Sequence, residues 1–405
     1  MKEKSLELDS TASSFFAKPS AILKQGKEKA ILNRHHWIFS GAIDSLPPFE
    51  DGEILPVRSF SGALLGSAYF NKHSSIIGRM LAFDGQLPLE SLSERLDQAI
   101  ALRKTLFNND ETNAFRLVNG EGDGLPGLIV DVYNQYLVLQ ISTKGMDVLR
   151  PILVELLDQK LKPHGIYEKS LVPSRKEEGL KEFQGILKGA IPDVLHIKEN
   201  GLSFTVHFEK SQKTGFFLDH REMRERIRAL ALGKRVLNAF SYTGGFSIYA
   251  LAGGAIRVDS VDISEDAIEM CKKHTLLNGF DVNANGFFSK DVFRFLREET
   301  LDYELVILDP PAFAKRRKDI IPACRGYKDI NRLAIQKMPA RSLLLTCSCS
   351  HYVDETLFQK VIFQAASEAK RSVRIIGRHH LAPDHPINLF HPESDYLKSL
   401  LLYIE

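Results

Sequence analysis

Two apolar runs in the last third of this 405-residue chain close on groups able to do chemistry. Leu308-Asp309-Pro310-Pro311-Ala312-Phe313 ends one, and Leu345-Thr346-Cys347-Ser348-Cys349-Ser350 ends the next, about one βα unit later. A parallel α/β sheet offers its reactive groups at the carboxyl ends of its strands, so an acid, a stiff Pro-Pro turn and a thiol are expected to converge there. Carbon 5 of a pyrimidine is a poor nucleophile, and methylating it requires a thiolate to add at carbon 6 and turn the ring into an enamine. Asp309, if protonated when the adduct forms, would stabilise charge developing near ring N3. Pro310 and Pro311 fix the backbone, so that its carbonyls and Phe313 can grip a base turned out of its stack. Cys349 lies just past its strand, where a thiol is exposed, whereas Cys347 sits nearer the buried strand and reads as packing. Cys349 is therefore the candidate nucleophile, Cys324 an alternative thiol, and Cys271 a core residue on a helix face.

A basic run, Lys315-Arg316-Arg317-Lys318, follows the Pro-Pro turn directly and is placed to meet phosphates, with a solvated loop as the plain alternative. Arg325 and Lys328, in the Cys324-Arg325-Gly326-Tyr327-Lys328-Asp329 segment expected to border the site, join Lys315 and Arg316 as candidate substrate contacts. The candidate cofactor loop is Asn238-Ala239-Phe240-Ser241-Tyr242-Thr243-Gly244-Gly245-Phe246. Asp262 ends the following strand, at a spacing that suits hydrogen bonds from ribose hydroxyls. A dinucleotide loop needs GxGxxG for its pyrophosphate, and this loop has aromatic and hydroxyl residues where those glycines would stand. S-adenosylmethionine has a ribose and an adenine but no phosphate, so it tolerates the bulkier loop. Asp291, ending a third strand, is expected at the adenine edge. A Gly pair alone is only a tight turn; the series Asp262, Asp291 and Asp309 at successive strand ends carries the nucleoside reading.

These residues need a sheet to hold them. From Arg235 the chain alternates: strands Val236–Phe240, Val258–Ile263, near Phe287, Glu304–Leu308, Leu343–Thr346 and Val373–Ile376, a last apolar run Leu397–Ile404, and helices from Gly245, Glu265–Asn278, Val292–Glu299, Asp329–Met338 and Glu355–Ala369. Repeated βα units of this length predict a doubly wound α/β sheet of Rossmann type. Upstream, residues 1–19 are polar and aperiodic and read as a loose tail. Residues 20–90 read as a small β-rich module, and 91–205 as a connecting helix after a Ser91 cap followed by a central α+β domain; residues 206–405 are assigned to catalysis. Arg34-His35-His36-Trp37 in the first module mixes basic and aromatic residues as loop-RNA binders do, although a plain surface with the lone Trp packed inside is the simpler reading.

With Lys+Arg 53 against Asp+Glu 51 the formal net charge is +2, so no global basic field announces nucleic acid and any RNA surface must be local. No apolar stretch approaches the roughly 18 residues of a spanning helix, and no signal-peptide core is present, so a cytoplasmic protein without membrane contact is expected. Four cysteines without a CxxC pair suit a reducing compartment and leave any special thiol special for reactivity. His379, His380, His385 and His391 match no metal-ligand spacing, and no metal is expected.

Lys213-Thr214-Gly215-Phe216-Phe217-Leu218-Asp219, the Asn238–Phe246 loop, Asp309–Phe313, Cys324–Asp329 and Ser348-Cys349-Ser350 together resemble the bacterial 23S rRNA cytosine-C5 methyltransferases of the large-subunit methyltransferase I type. The likeness runs from about residue 20 to the end. It implies an N-terminal PUA domain, a central α+β domain and a Rossmann-type class I methyltransferase domain, with S-adenosylmethionine as donor, 23S rRNA or a large-subunit precursor as substrate, and a homodimer as a common state. It also implies Cys349 as the motif thiol, and cofactor contacts from Asn238–Phe246, Asp262, Asp291 and Asp309, with Lys213, Asp219 and Arg221 as additions. Cys347 is an extra cysteine that the family's strand does not require. Two rivals stand beside this reading. In one, Asp309-Pro310-Pro311-Ala312-Phe313 grips a purine whose exocyclic amine is methylated with both cysteines inert; in the other, the chain only binds RNA. A dehydrogenase lacks its pyrophosphate glycines.

Overall fold

Leu305-Val306-Ile307-Leu308 offers solvent no polar position, and such a short run is stable only as a strand covered on both faces. In the computed structural model, which describes residues 12–405, it is the middle strand of seven. The strands are β1 (Arg235–Ala239), β2 (Arg257–Asp262), β3 (Gly286–Ser289), β4 (Leu305–Leu308), β5 (Ser342–Ser348), β6 (Val373–His379) and β7 (Lys398–Ile404), in the order β3-β2-β1-β4-β5-β7-β6. β1 to β5 pair in parallel, while β7 runs antiparallel between β5 and β6. The strand order reverses between β1 and β4, and such a switch point opens a crevice at the carboxyl ends. Leu308 pairs with Ala239 on one side and Thr346 on the other. The register thus sets Asp309 beside the end of β1 and level with Cys347.

Helices α1 (Arg221–Leu230), α2 (Gly245–Ala252), α3 (Glu265–Leu277), α4 (Val292–Glu298), α5 (Ile320–Lys337) and α6 (Glu355–Ala369) bury their apolar stripes against this sheet. The expected alternation is present, with two informative differences. α5 begins at Ile320, nine residues before the expected Asp329. Pro322 stands in its first turn, where a missing N–H costs nothing, and Gly326 lets the Phe313 ring pack closely, since a Cβ there would come 3.2 Å from it. β5 extends two residues past Thr346, so Cys347 lies within the strand.

The chain divides into two units. The sheet just described belongs with His196–Thr205, Phe217–Ala382 and Asp395–Glu405. The other holds the described residues up to Leu195, together with Val206–Phe216 and Pro383–Ser394. Residues 206–216 and 383–394 were expected in the catalytic domain, and side-chain bonds explain their place. The Thr214 hydroxyl donates to Asp131 Oδ2 at 2.5 Å and meets the Tyr133 hydroxyl at 3.0 Å. Asp384 accepts from Arg116 N at 2.9 Å, and its carbonyl accepts from Arg103 Nη2 at 2.8 Å.

This other unit contains a six-stranded sheet within residues 21–83 and a five-stranded sheet within residues 114–189. The connecting helix spans Pro88–Leu106, so Ser91 is not its cap; the Ser91 hydroxyl donates instead to Leu81 O at 2.9 Å. Residues 1–11 of the expected tail lie outside the described residues, but Ala12–Phe16 is helical, because Phe15 finds a buried place that a polar reading of the segment overlooked.

The start of α1 is fixed by a buried charge cluster. Arg224 makes a two-pronged contact with Glu199, Nε and Nη2 each at 2.7 Å from a carboxylate oxygen. Arg221 Nε lies 3.3 Å from the same carboxylate, and the Tyr249 hydroxyl donates to it at 3.0 Å. Glu199 is fully buried, and removing one member of such a cluster strands the others. Glu199→Ala is expected to lower unfolding free energy by about 3–5 kcal/mol in urea titrations; a loss below about 1 kcal/mol would show that the cluster does not hold α1.

Candidate active site

The loop between β1 and α2 is built from positive φ angles. Phe240 (φ 62°), Tyr242 (φ 46°) and Gly244 (φ 83°) turn the chain sharply back into α2. At Gly244 any side chain is excluded, because a Cβ would lie 2.2 Å from Cys271 Sγ. The strain at the two aromatic positions is held by Asp262, whose Oδ2 accepts from Tyr242 N at 2.8 Å and whose Oδ1 accepts from Ser264 N at 2.9 Å. Thr243 O accepts from His274 Nδ1 at 2.8 Å. Asn238 is buried under α2, where its amide donates to Ser247 Oγ at 2.8 Å.

The residues present fit S-adenosylmethionine. Asp262 is half-buried, and each oxygen, having taken one backbone amide, keeps lone-pair capacity for ribose hydroxyls. Ile263 beside it is 73% exposed, an apolar platform of the kind an adenine ring covers. Ser241 Oγ is buried and finds no partner among the described residues. Asp291 caps α4, accepting from Arg294 N at 2.8 Å, and its carboxylate stays exposed. Phe240 and Phe293 meet edge to face at 6.3 Å along the same crevice. Gly245 and Phe246 open α2, and the Phe246 ring packs edge-on to His220 at 5.6 Å.

Asp309 follows β4 directly, with its side chain 22% exposed. His220 Nε2 stands 3.4 Å from its Oδ1. Asp219, next to His220, is buried and accepts from the Tyr396 hydroxyl at 2.7 Å. Arg221 belongs to the Glu199 cluster. Lys213 lies in the other unit, exposed and left-handed (φ 53°).

The two neighbouring thiols differ in kind. Cys347 is fully buried within β5, and burial, reinforced by Asp309 and Cys349, pushes its thiol well above the ordinary range, so it stays neutral. Cys349 is half-buried just past the strand, and its Sγ is 3.9 Å from the Pro310 carbonyl at the β4 turn. Burial raises Cys271 to about 11 and also raises Cys324, which sits on α5.

What ties these parts together is Ser350, which the sequence did not single out. Its Oγ accepts from Ala314 N at 3.1 Å and lies 2.9 Å from the Tyr327 hydroxyl; its carbonyl accepts from Lys398 Nζ at 2.8 Å. One buried residue thereby joins the Asp309 loop, α5, the thiol turn and β7. Phe313 is half-buried, 4.7 Å from the Tyr327 ring, while Pro310 is buried and Pro311 exposed. Lys315, Arg316 and Arg325 are exposed. Lys328 is half-buried and pairs across α5 and α6 with Glu368 at 2.6 Å.

Among the described residues, two trios bring donor atoms close enough to share a cation: His220, Asp309 and Cys347, and His35, His391 and Glu393. In the second, His35 Nδ1 accepts from Trp37 N at 3.2 Å, which leaves the ring proton on Nε2 to be shared with His391 Nδ1 at 3.1 Å. Proton sharing accounts for that spacing. Trp37 itself is half-buried, and its indole donates to Glu121 at 2.9 Å. No described helix is long and apolar enough to cross a membrane.

Comparison with known proteins places the chain among relatives. Residues 183–401 match the S-adenosylmethionine-dependent methyltransferase family and residues 21–83 a PUA-like domain. The chain is 41% identical over 386 residues to the ribosomal RNA large subunit methyltransferase I of Aliivibrio fischeri, covering 94% of this chain and 98% of that one. With the enzyme of the same name from Vibrio cholerae it shares 40% over 389 residues, at 94% and 98% coverage. Its fold is that of SMU.776, solved in complex with SAH, at 24% identity and TM-score 0.82 over 95% of this chain and 100% of the other.

Ser350→Ala removes the acceptor of one buried N–H and the partner of a buried hydroxyl, a loss of about 1–3 kcal/mol. Its denaturant midpoint should fall accordingly and methyl transfer should drop while donor binding, measured by calorimetry, persists. Unchanged stability and transfer would show that the tie is dispensable.

Proposed function

Because the chain is a member of the ribosomal RNA large subunit methyltransferase I family, and so an S-adenosylmethionine-dependent methyltransferase, we propose that it forms 5-methylcytosine in 23S rRNA through a covalent bond between Cys349 and carbon 6 of the base. The observation that supports this most strongly is the contrast between the two thiols beside Asp309. One is sealed and neutral; the other is half-buried at the turn, against the carbonyl of Pro310.

The chemistry asks each residue for a specific act. Cys349 loses its proton, and its sulfur adds to carbon 6, which places electron density on carbon 5. Asp309, steadied by His220 at 3.4 Å, donates a hydrogen bond or proton toward ring N3 as charge builds there. The bound donor supplies an electrophilic methyl group. Carbon 5 then gives up its hydrogen as a proton to a base, the carbon–sulfur bond breaks, and the thiolate is regenerated. Pro310 and Phe313 would hold the ring, with Phe313 backed by Tyr327 and unable to retreat. Asp262, Asp291 and the Phe240–Phe246 loop would hold the donor. The exposed Lys315, Arg316 and Arg325 would meet phosphates, so their removal should flatten the salt dependence of binding.

Labelled S-adenosylmethionine incubated with unmodified large-subunit rRNA should yield 5-methylcytosine on nuclease digestion and mass spectrometry. Cys349→Ala should lose transfer by about a thousandfold or more, the scale for losing a covalent nucleophile, while Cys347→Ala keeps activity within several-fold. An N-methylated purine, or full activity in both variants, would replace this mechanism with amine methylation. Tight RNA binding without transfer would support a binding protein.

A further inference from the structure

Lys398 opens β7 opposite Ser348 of β5, so its side chain enters the sheet one residue from the thiol turn. It is 6% exposed. Its ammonium donates to Ser350 O and to Tyr396 O, each at 2.8 Å. No carboxylate among the described residues stands within ion-pair distance of it. The nearby acids are engaged elsewhere: Asp354 caps α6 through Leu357 N at 2.8 Å, and Asp395 pairs with His380 at 3.1 Å. Burial pushes this ammonium toward its neutral form, opposed by Asp395 first, then Cys349 and Asp354; bonded directly only to carbonyls, its charge is costly unless an anion forms beside it. A lysine tail that merely packed could have snorkelled outward; this one is pinned to the carbonyl of the residue after Cys349.

We infer that Lys398 is the counter-cation of the Cys349 thiolate, a positioning residue that acts through the nucleophile and touches no substrate. This rests on Cys349 being the nucleophile. Tyr327 from α5, Cys347 and Asp309 from the adjoining strand ends, and the Pro310 carbonyl also lie at this turn, and each either is neutral or opposes ionisation. His220, beside Asp309 and Cys347, is another ring able to carry positive charge. The lysine, pinned by its bonds to Ser350 and Tyr396, would make a thiolate affordable at this turn.

The test is alkylation by iodoacetamide across a pH series, read at each cysteine by peptide mass spectrometry, with no RNA present. In the wild type Cys349 should react at neutral pH well ahead of Cys324, the half-buried thiol on α5. In Lys398→Met the Cys349 rate at neutral pH should fall about tenfold, the effect of removing one adjacent cation, and should recover at alkaline pH. Lys398→Arg should restore most of the rate. Wild-type Cys349 reacting no faster than Cys324, or a profile unmoved in Lys398→Met, overturns the proposal. The wild-type comparison decides even if the Met variant does not fold. Formation of 5-methylcytosine with an unmoved profile would sink the role of Lys398 and spare the Cys349 mechanism. A shifted profile with an N-methylated product would do the reverse.

Discussion

The site depends on one buried serine. Ser350 receives the Ala314 amide from the loop after β4, meets the Tyr327 hydroxyl of α5, and offers its carbonyl to Lys398 from β7. Without that junction the acid and the thiol would sit on two independent turns. A covalent mechanism requires sulfur and acid to reach opposite parts of one ring within a few tenths of an ångström. A hydroxyl acting as both donor and acceptor inside a packed wall is a physical means of setting that distance. It also explains the Pro-Pro turn, which keeps the β4 end from relaxing between its two anchors.

The second constraint is electrostatic. Cys347 and Cys349 are two residues apart, yet one belongs to the sheet's buried layer and the other to its rim. Ionising a thiol in the interior costs several kcal/mol, whereas at the rim a neighbouring cation compensates it. β7 brings that cation because it runs antiparallel into a parallel sheet, delivering its first residue to the end where the other strands finish. The same end carries Asp262 and the strained β1–α2 loop, so the proposed donor site and Cys349 share one edge by topology.

Much of this was legible in the sequence. The alternation from Arg235 specified the sheet, and the apolar run before Asp309 placed that acid just past its strand, while β5 runs two residues beyond the expected Thr346. The loop's glycines and aromatics marked the sharp turn into α2. What was not legible arises from contacts between distant residues. Ser350 meets partners 23, 36 and 48 positions away, and a serine or lysine in isolation carries no signal of such pairing. His220 gives no hint of Asp309, nor Lys328 of Glu368. Residues 206–216 and 383–394 followed their side-chain bonds to Asp131, Arg116 and Arg103 rather than their neighbours in the chain. The early start of α5 was hidden by Pro322 and Gly326, which punctuate most chains but here fit a first turn and a tight packing contact.

The most direct measurement of the central claim is mass spectrometry of the protein after incubation with donor and an rRNA fragment carrying 5-fluorocytosine, whose fluorine cannot leave as the C5 proton does. The account predicts a stable protein–RNA adduct whose cross-linked peptide maps to Cys349 and disappears in Cys349→Ser. A methylated product without any adduct, or an adduct on Cys347 or Cys324, would contradict it.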